Sequence, residues 1–71
     1  MKSAVSYVIK LGEGSKVKTT RECWGENHEI PPGSVGILLG IDIDPACVNV
    51  AFDWGADTID PEEAMLVKHD G

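Results

Sequence analysis

The sequence predicts a single all-β domain of about five strands, with one short helical turn before the last strand. Glycine and proline interrupt the chain at short intervals, so no segment is long enough for an extended helix. The intervening segments are rich in Val, Ile, Leu, Phe and Thr and alternate with period two, which is typical of half-buried strands. A chain of 71 residues with 42% hydrophobic and 25% charged side chains is an ordinary small folded domain.

The N-terminal part of the chain predicts one strand or arm, then a strand and a long loop. Residues 4–11 alternate apolar and polar positions, which predicts an N-terminal strand or an arm packed on the domain. In residues 15–20, Val17 and Thr19 share one face, and lysines occupy the other. The loop runs from Arg21 to Gly33, and Pro31-Pro32 stiffens its end because proline fixes φ.

The middle of the chain predicts a hairpin of two strands. In residues 35–41, Gly36 and Gly40 allow a bent strand to pass close to its neighbour. Asp44-Pro45-Ala46 predicts the turn, and residues 47–54 form the second strand, with Trp54 in the core or at its edge. The expected core residues are Val17, Val35, Ile37, Leu39, Val48, Val50, Phe52 and Leu66.

After the hairpin the pattern predicts a short strand, a helical turn and a final strand. Residues 56–59 form the short strand, Asp60 is the N-cap of the helical turn with Pro61 at its first position, and residues 65–68 form the last strand. This order of elements is that of an SH3-like barrel: a strand, a long loop, three strands, a helical turn and a last strand. We therefore expect one SH3-like domain over 1–71, with an arm at 1–13 and the barrel at 14–68.

Two sets of motifs resemble known families. The first set resembles the PsaE and electron-transport accessory group of SH3-like barrels. It consists of Gly14-Ser15-Lys16-Val17-Lys18, Arg21-Glu22-Cys23-Trp24, Val35-Gly36-Ile37-Leu38 and Val48-Asn49-Val50-Ala51-Phe52. The second set is similar to DUF4314, a small domain family of bacteria and phages. It consists of Ile30-Pro31-Pro32-Gly33-Ser34-Val35-Gly36-Ile37 and Phe52-Asp53-Trp54-Gly55. These resemblances imply an accessory domain that docks against proteins and has a bacterial or phage origin, and neither supplies a catalytic residue.

The charge distribution favours a protein partner over a nucleic acid. The net charge is −6, and residues 42–71 carry eight acidic side chains and one basic one. Such a surface repels a polyanion, because nucleic-acid affinity comes largely from Lys and Arg on phosphates. We therefore expect a partner with a basic surface. The alternative is a KOW-type nucleic-acid-associated barrel, whose ligand would lie along Lys10, Lys16, Lys18 and Arg21.

The residues that carry chemistry predict neither an enzyme nor a bound metal or cofactor. Cys23, His28, Cys47 and His69 do not have the spacing of a zinc site, and the acidic clusters lack the regular ligand series of a calcium loop. Two cysteines without a CxxC pair predict reduced thiols in the cytoplasm. The start of the chain lacks a signal-peptide pattern, and no run of apolar residues is long enough to span a membrane.

The long loop is the candidate binding site. Trp24 lies among polar residues there, so it is either a lid over one end of the barrel or an exposed anchor for a partner. The residues assigned to partner binding are Arg21, Trp24, His28, Ile30, Pro31 and Pro32.

Overall fold

The computed structural model describes residues 10–26, 28–43 and 46–69. At positions 43 and 46 it describes the backbone alone. These residues form mostly β structure with one helical turn before the last strand, which confirms the predicted all-β class. In chain order the elements are β1 (Lys16–Lys18), β2 (Cys23–Trp24), β3 (Glu29–Ile30), β4 (Val35–Ile43), β5 (Ala46–Phe52), β6 (Gly55–Ile59), α1 (Pro61–Ala64) and β7 (Val67–Lys68).

Five strands form one antiparallel sheet in the order β6-β5-β4-β1-β7. Among the described strands, the other two, β2 and β3, pair only with each other. The segment from Arg21 to Gly33, predicted as a long loop, therefore contains a short hairpin, and the prediction of a loop without strands is wrong. Two features form the hairpin: Cys23 and Ile30 pair as inward apolar residues, and the Gly25 N–H donates to the His28 carbonyl at 2.8 Å.

The core lies on one face of the sheet, under the hairpin and α1. Its buried apolar residues are Val17, Cys23, Ile30, Leu38, Val48, Val50, Phe52, Ile59, Ala64 and Leu66. Among the residues predicted from the sequence, the burial of Val17, Val48, Val50, Phe52 and Leu66 is confirmed.

The facing predicted for β4 is wrong. Leu38 is fully buried, whereas Ile37 is 36% exposed, Leu39 is 49% exposed and Val35 is only half-buried. The inward position beside Val50 is taken by Gly36, where a Cβ atom would lie 2.5 Å from a methyl group of that valine. A register shift between Leu38 and Gly40 then reverses the alternation, so that Ile41 packs against the core.

The helical turn α1 has the predicted cap. The Asp60 carboxylate accepts the N–H groups of Glu62 and Glu63 at 2.9 and 3.4 Å, and Pro61 occupies the first helical position. Met65 ends the turn in the left-handed region, with φ of 49°.

Parts of two predictions lie outside the described residues. These are the turn at Asp44-Pro45 and residues 4–9 of the N-terminal strand or arm. Lys10 and Leu11, the described end of that arm, have a helical backbone, and Leu11 packs against the core. Within the described ranges, no helix has the length and apolar character needed to cross a membrane.

Candidate functional site

The outward side of the hairpin is built by the alternation of its two strands. Cys23 faces Ile30 across the strands on the buried side, and Trp24 faces Glu29 on the solvent side. Trp24 is 64% exposed, which makes it the most exposed large apolar side chain among the described residues. The alternative in which Trp24 is packed as a lid over one end of the barrel is therefore wrong.

A shallow depression of about 390 Å³ lies at the base of this outward side. Glu22, Glu29, Pro31 and Pro32 line it. Glu22 is two positions before Trp24, so it continues the outward side of β2. We call Glu22, Trp24, Glu29, Pro31 and Pro32 the hairpin face. It combines one exposed indole, two proline rings and two carboxylates.

The two ends of the hairpin are tied to the rest of the domain by hydrogen bonds. At its start, the N–H groups of Thr20 and Arg21 donate to the Ala64 carbonyl at 2.9 and 3.1 Å. At its end, the buried Thr19 hydroxyl donates to the Pro31 carbonyl at 3.0 Å and accepts the Ser34 N–H at 3.1 Å. The strand β1 and the turn α1 therefore fix the base of the hairpin.

The tip of the hairpin is tied to β6 and packs near an aromatic pair. The Glu26 N–H donates to Oδ1 of Asp57 at 2.7 Å. The His28 ring lies 5.9 Å from the Trp54 ring, which stacks on Phe52 at 4.7 Å. Trp54 follows the end of β5 in a turn and is 44% exposed. The predicted position of Trp54 in the core or at its edge therefore holds only for the ring face that stacks on Phe52.

The structure brings most of the residues predicted for partner binding to the surface of this hairpin. Arg21, Trp24, His28, Pro31 and Pro32 are exposed. Ile30 is fully buried, and its assignment to a binding surface is wrong. The reason is strand alternation: Glu29 takes the outward position of β3, and Ile30 takes the inward one.

The lysines of the alternative nucleic-acid surface lie elsewhere. Lys10 and Lys16 are exposed, and Lys18 is half-buried. Lys16 and Lys18 are on β1, opposite Ile37 and Val35 of β4. They are therefore on the five-stranded sheet and not on the hairpin face.

Both cysteines are free thiols. Burial raises the pKa of the Cys23 thiol, and the negative charge of Glu63 adds to the effect. Loss of hydration also raises the pKa of Cys47, whose Sγ donates to Oδ2 of Asp42 at 3.6 Å. Both pKa shifts favour the protonated thiol, which is the weaker nucleophile. Across 10–26, 28–43 and 46–69, no three His, Cys, Asp or Glu side chains are grouped so as to hold a metal ion.

Comparison with known proteins found no matching family model, no matching curated protein and no matching solved structure.

Sequence reasoning missed three acidic residues of this region. Glu22 and Glu29 flank the depression, and Asp57 holds the hairpin tip. Two signals were present in the sequence. Glu22 and Glu29 alternate with the apolar residues Cys23 and Ile30, and Asp57 is two positions before the inward-facing Ile59.

Proposed function

We propose that this chain is a non-enzymatic protein-interaction module that binds a basic protein surface through the hairpin face. One observation carries the proposal: an exposed tryptophan directly opposite a glutamate, beside a proline-lined depression with a second glutamate. Trp24 and Glu29 are the cross-strand pair, and Glu22 borders the depression. Large aromatic residues supply much of the energy at protein interfaces.

The chemistry of the hairpin face suits a lysine or arginine side chain of a partner. A cation can lie over the face of an indole, which attracts it through the ring quadrupole. The carboxylates of Glu22 and Glu29 can accept charge-assisted hydrogen bonds from the same cation. The overall charge of −6 adds long-range attraction toward a basic surface.

The anchoring of the hairpin lowers the entropic cost of binding. Its base is held by hydrogen bonds to Ala64 and Thr19, and its tip by one to Asp57. A loop that is already ordered loses less conformational freedom when a partner docks.

The SH3-like assignment and the accessory role belong to the same proposal. Three features support that assignment: the strand order β6-β5-β4-β1-β7, the hairpin inserted between β1 and β4, and the helical turn before β7. An accessory subunit or a modulator of a larger protein, of bacterial or phage origin, is the role we assign to such a domain. Two free thiols support a location in the cytoplasm.

Selection from a phage-displayed library of random peptides on the immobilised full chain tests the proposal. We expect enrichment of peptides containing Lys or Arg. The double variant Glu22→Lys/Glu29→Lys should weaken the binding of the enriched peptide about tenfold or more. The control Glu62→Lys/Glu63→Lys makes the same change in net charge on the exposed side of α1 and should weaken it much less.

Three results would overturn the proposal. One is that no peptide is enriched. Another is that both double variants weaken binding equally, since only overall charge would then matter. The third is binding of a single-stranded oligonucleotide that depends on Lys16 and Lys18 and falls steeply with salt, which would favour the KOW-type alternative.

A further inference from the structure

Asp57 is a buried carboxylate at the point where β6 meets the hairpin tip. It faces inward opposite Val50 of β5, and its side chain is fully buried. Its Oδ1 atom accepts the Glu26 N–H at 2.7 Å and the Thr58 N–H at 2.9 Å. A buried carboxylate is costly to desolvate, so these two backbone donors are what offset its burial.

The other carboxylate oxygen of Asp57 has no hydrogen-bond donor among the described residues. Nδ1 of His28 lies 3.7 Å from this oxygen, which is beyond hydrogen-bonding distance. Gly25 packs directly on the carboxylate, because a Cβ atom there would lie 2.5 Å from Oδ2. One oxygen thus holds the hairpin tip while the other is enclosed between the tip and β6.

The hairpin depends on such a contact because its own pairing is minimal. Each of its strands has two residues, and the five-stranded sheet does not pair with them. A two-stranded hairpin is marginally stable by itself in water. Backbone hydrogen bonds fix its base, and the bond from Glu26 to Asp57 fixes its tip.

We propose that Asp57 is a positioning residue for the hairpin face: its carboxylate holds the Glu26 N–H and thereby fixes Trp24 and Glu29 in the arrangement that a partner meets. This inference rests on the proposed function. Glu26 is two residues after Trp24 and three before Glu29, so a tip released from Asp57 changes the geometry of both. The fraction of molecules competent to bind then falls, and the apparent affinity falls with it.

The test uses the full chain with three substitutions. Asp57→Ala removes the acceptor of the Glu26 N–H. Asp57→Asn keeps a side-chain oxygen of the same shape and is the rescue variant. Asn49→Ala is the control, because it also removes a side-chain acceptor, but the donor is the Thr58 hydroxyl and the bond joins β5 to β6. The probe is the peptide most enriched in the selection described above.

Two measurements are made on each variant, at a temperature where all are folded. Hydrogen exchange of the Glu26 amide should accelerate at least about tenfold in Asp57→Ala, because a hydrogen bond to a charged acceptor is lost. Peptide affinity should fall by a similar factor. Asp57→Asn should recover most of both, and Asn49→Ala should leave both unchanged.

A double variant separates positioning from a general effect on the fold. If Asp57 acts through Trp24, Asp57→Ala should have little further effect on affinity in a Trp24→Ala background. The inference is overturned if Asp57→Ala accelerates the exchange of the Glu26 amide without weakening Trp24-dependent binding, or if Asn49→Ala weakens binding equally. If no Trp24-dependent peptide is found, the proposed function itself fails, a result distinct from either of these.

Discussion

Gly25 and Asp57 are packed so closely that a Cβ atom on Gly25 would lie 2.5 Å from the carboxylate carbon of Asp57. Gly25 is not among the glycines with positive φ, so the requirement for glycine is steric. The contact places the backbone of the hairpin tip directly on the only acidic side chain that is buried among the described residues.

Gly25→Ala should therefore lift the hairpin tip off β6. We expect a loss of about 1–3 kcal/mol in the free energy of unfolding, the usual cost of overpacking, measured by urea denaturation. The control is Gly40→Ala, where the nearest atom to the added Cβ is Nδ2 of Asn49 at 4.0 Å. That variant should change stability by less than about 0.5 kcal/mol. Equal losses in the two variants would contradict the contact with Asp57.

The neighbours Leu38 and Leu39 test the facing of β4 with the same chemical change. Leu38→Ala should cost about 2–5 kcal/mol, because it removes a fully buried side chain. Leu39→Ala should cost less than about 1 kcal/mol, because that side chain is 49% exposed. Thermal or urea unfolding measures both. A larger loss of stability for Leu39→Ala than for Leu38→Ala would favour the facing predicted from the sequence and would contradict the register shift.

Outside the hairpin, the order and type of the strands β1 and β4 to β7 and of α1 could be predicted because they depend on local patterns. Alternation placed Val48, Val50 and Phe52 on the core side, and Asp60-Pro61 marked the start of α1. The facing of β4 could not be read in this way. Its inward position is a glycine, which gives no apolar signal, and the shift near Leu39 reverses the alternation.

The candidate site was predictable in its location and not in its details. Trp24 was identified because its neighbours in sequence offered no apolar face to cover it. The pairing of Cys23 with Ile30, which buries Ile30, depends on a hairpin whose strands are too short to give a pattern. The role of Asp57 could not be predicted, because the N–H group that it holds belongs to Glu26, 31 residues away along the chain.

Cys23 should make the domain less stable at alkaline pH. Burial raises the pKa of its thiol above the ordinary value of 9.0, so the unfolded chain loses the proton first. The thiol's contribution to stability is present below that value and is lost as the pH rises through the folded-state pKa. Urea unfolding from pH 7 to 11 should show a steeper decline for the wild type than for Cys23→Ala. Parallel curves for the two proteins would contradict the assignment.

The most direct test of the binding surface compares folding and binding in Trp24→Ala. The hairpin face predicts that this variant keeps the melting temperature of the wild type within a few degrees and binds the selected basic peptide at least about 30-fold more weakly, the hot-spot threshold. The control is Ile37→Ala, another exposed apolar side chain but on the five-stranded sheet, which should leave affinity unchanged. Isothermal titration calorimetry and thermal melting measure the two properties. Unchanged peptide affinity in Trp24→Ala, or loss of the fold, would contradict the account.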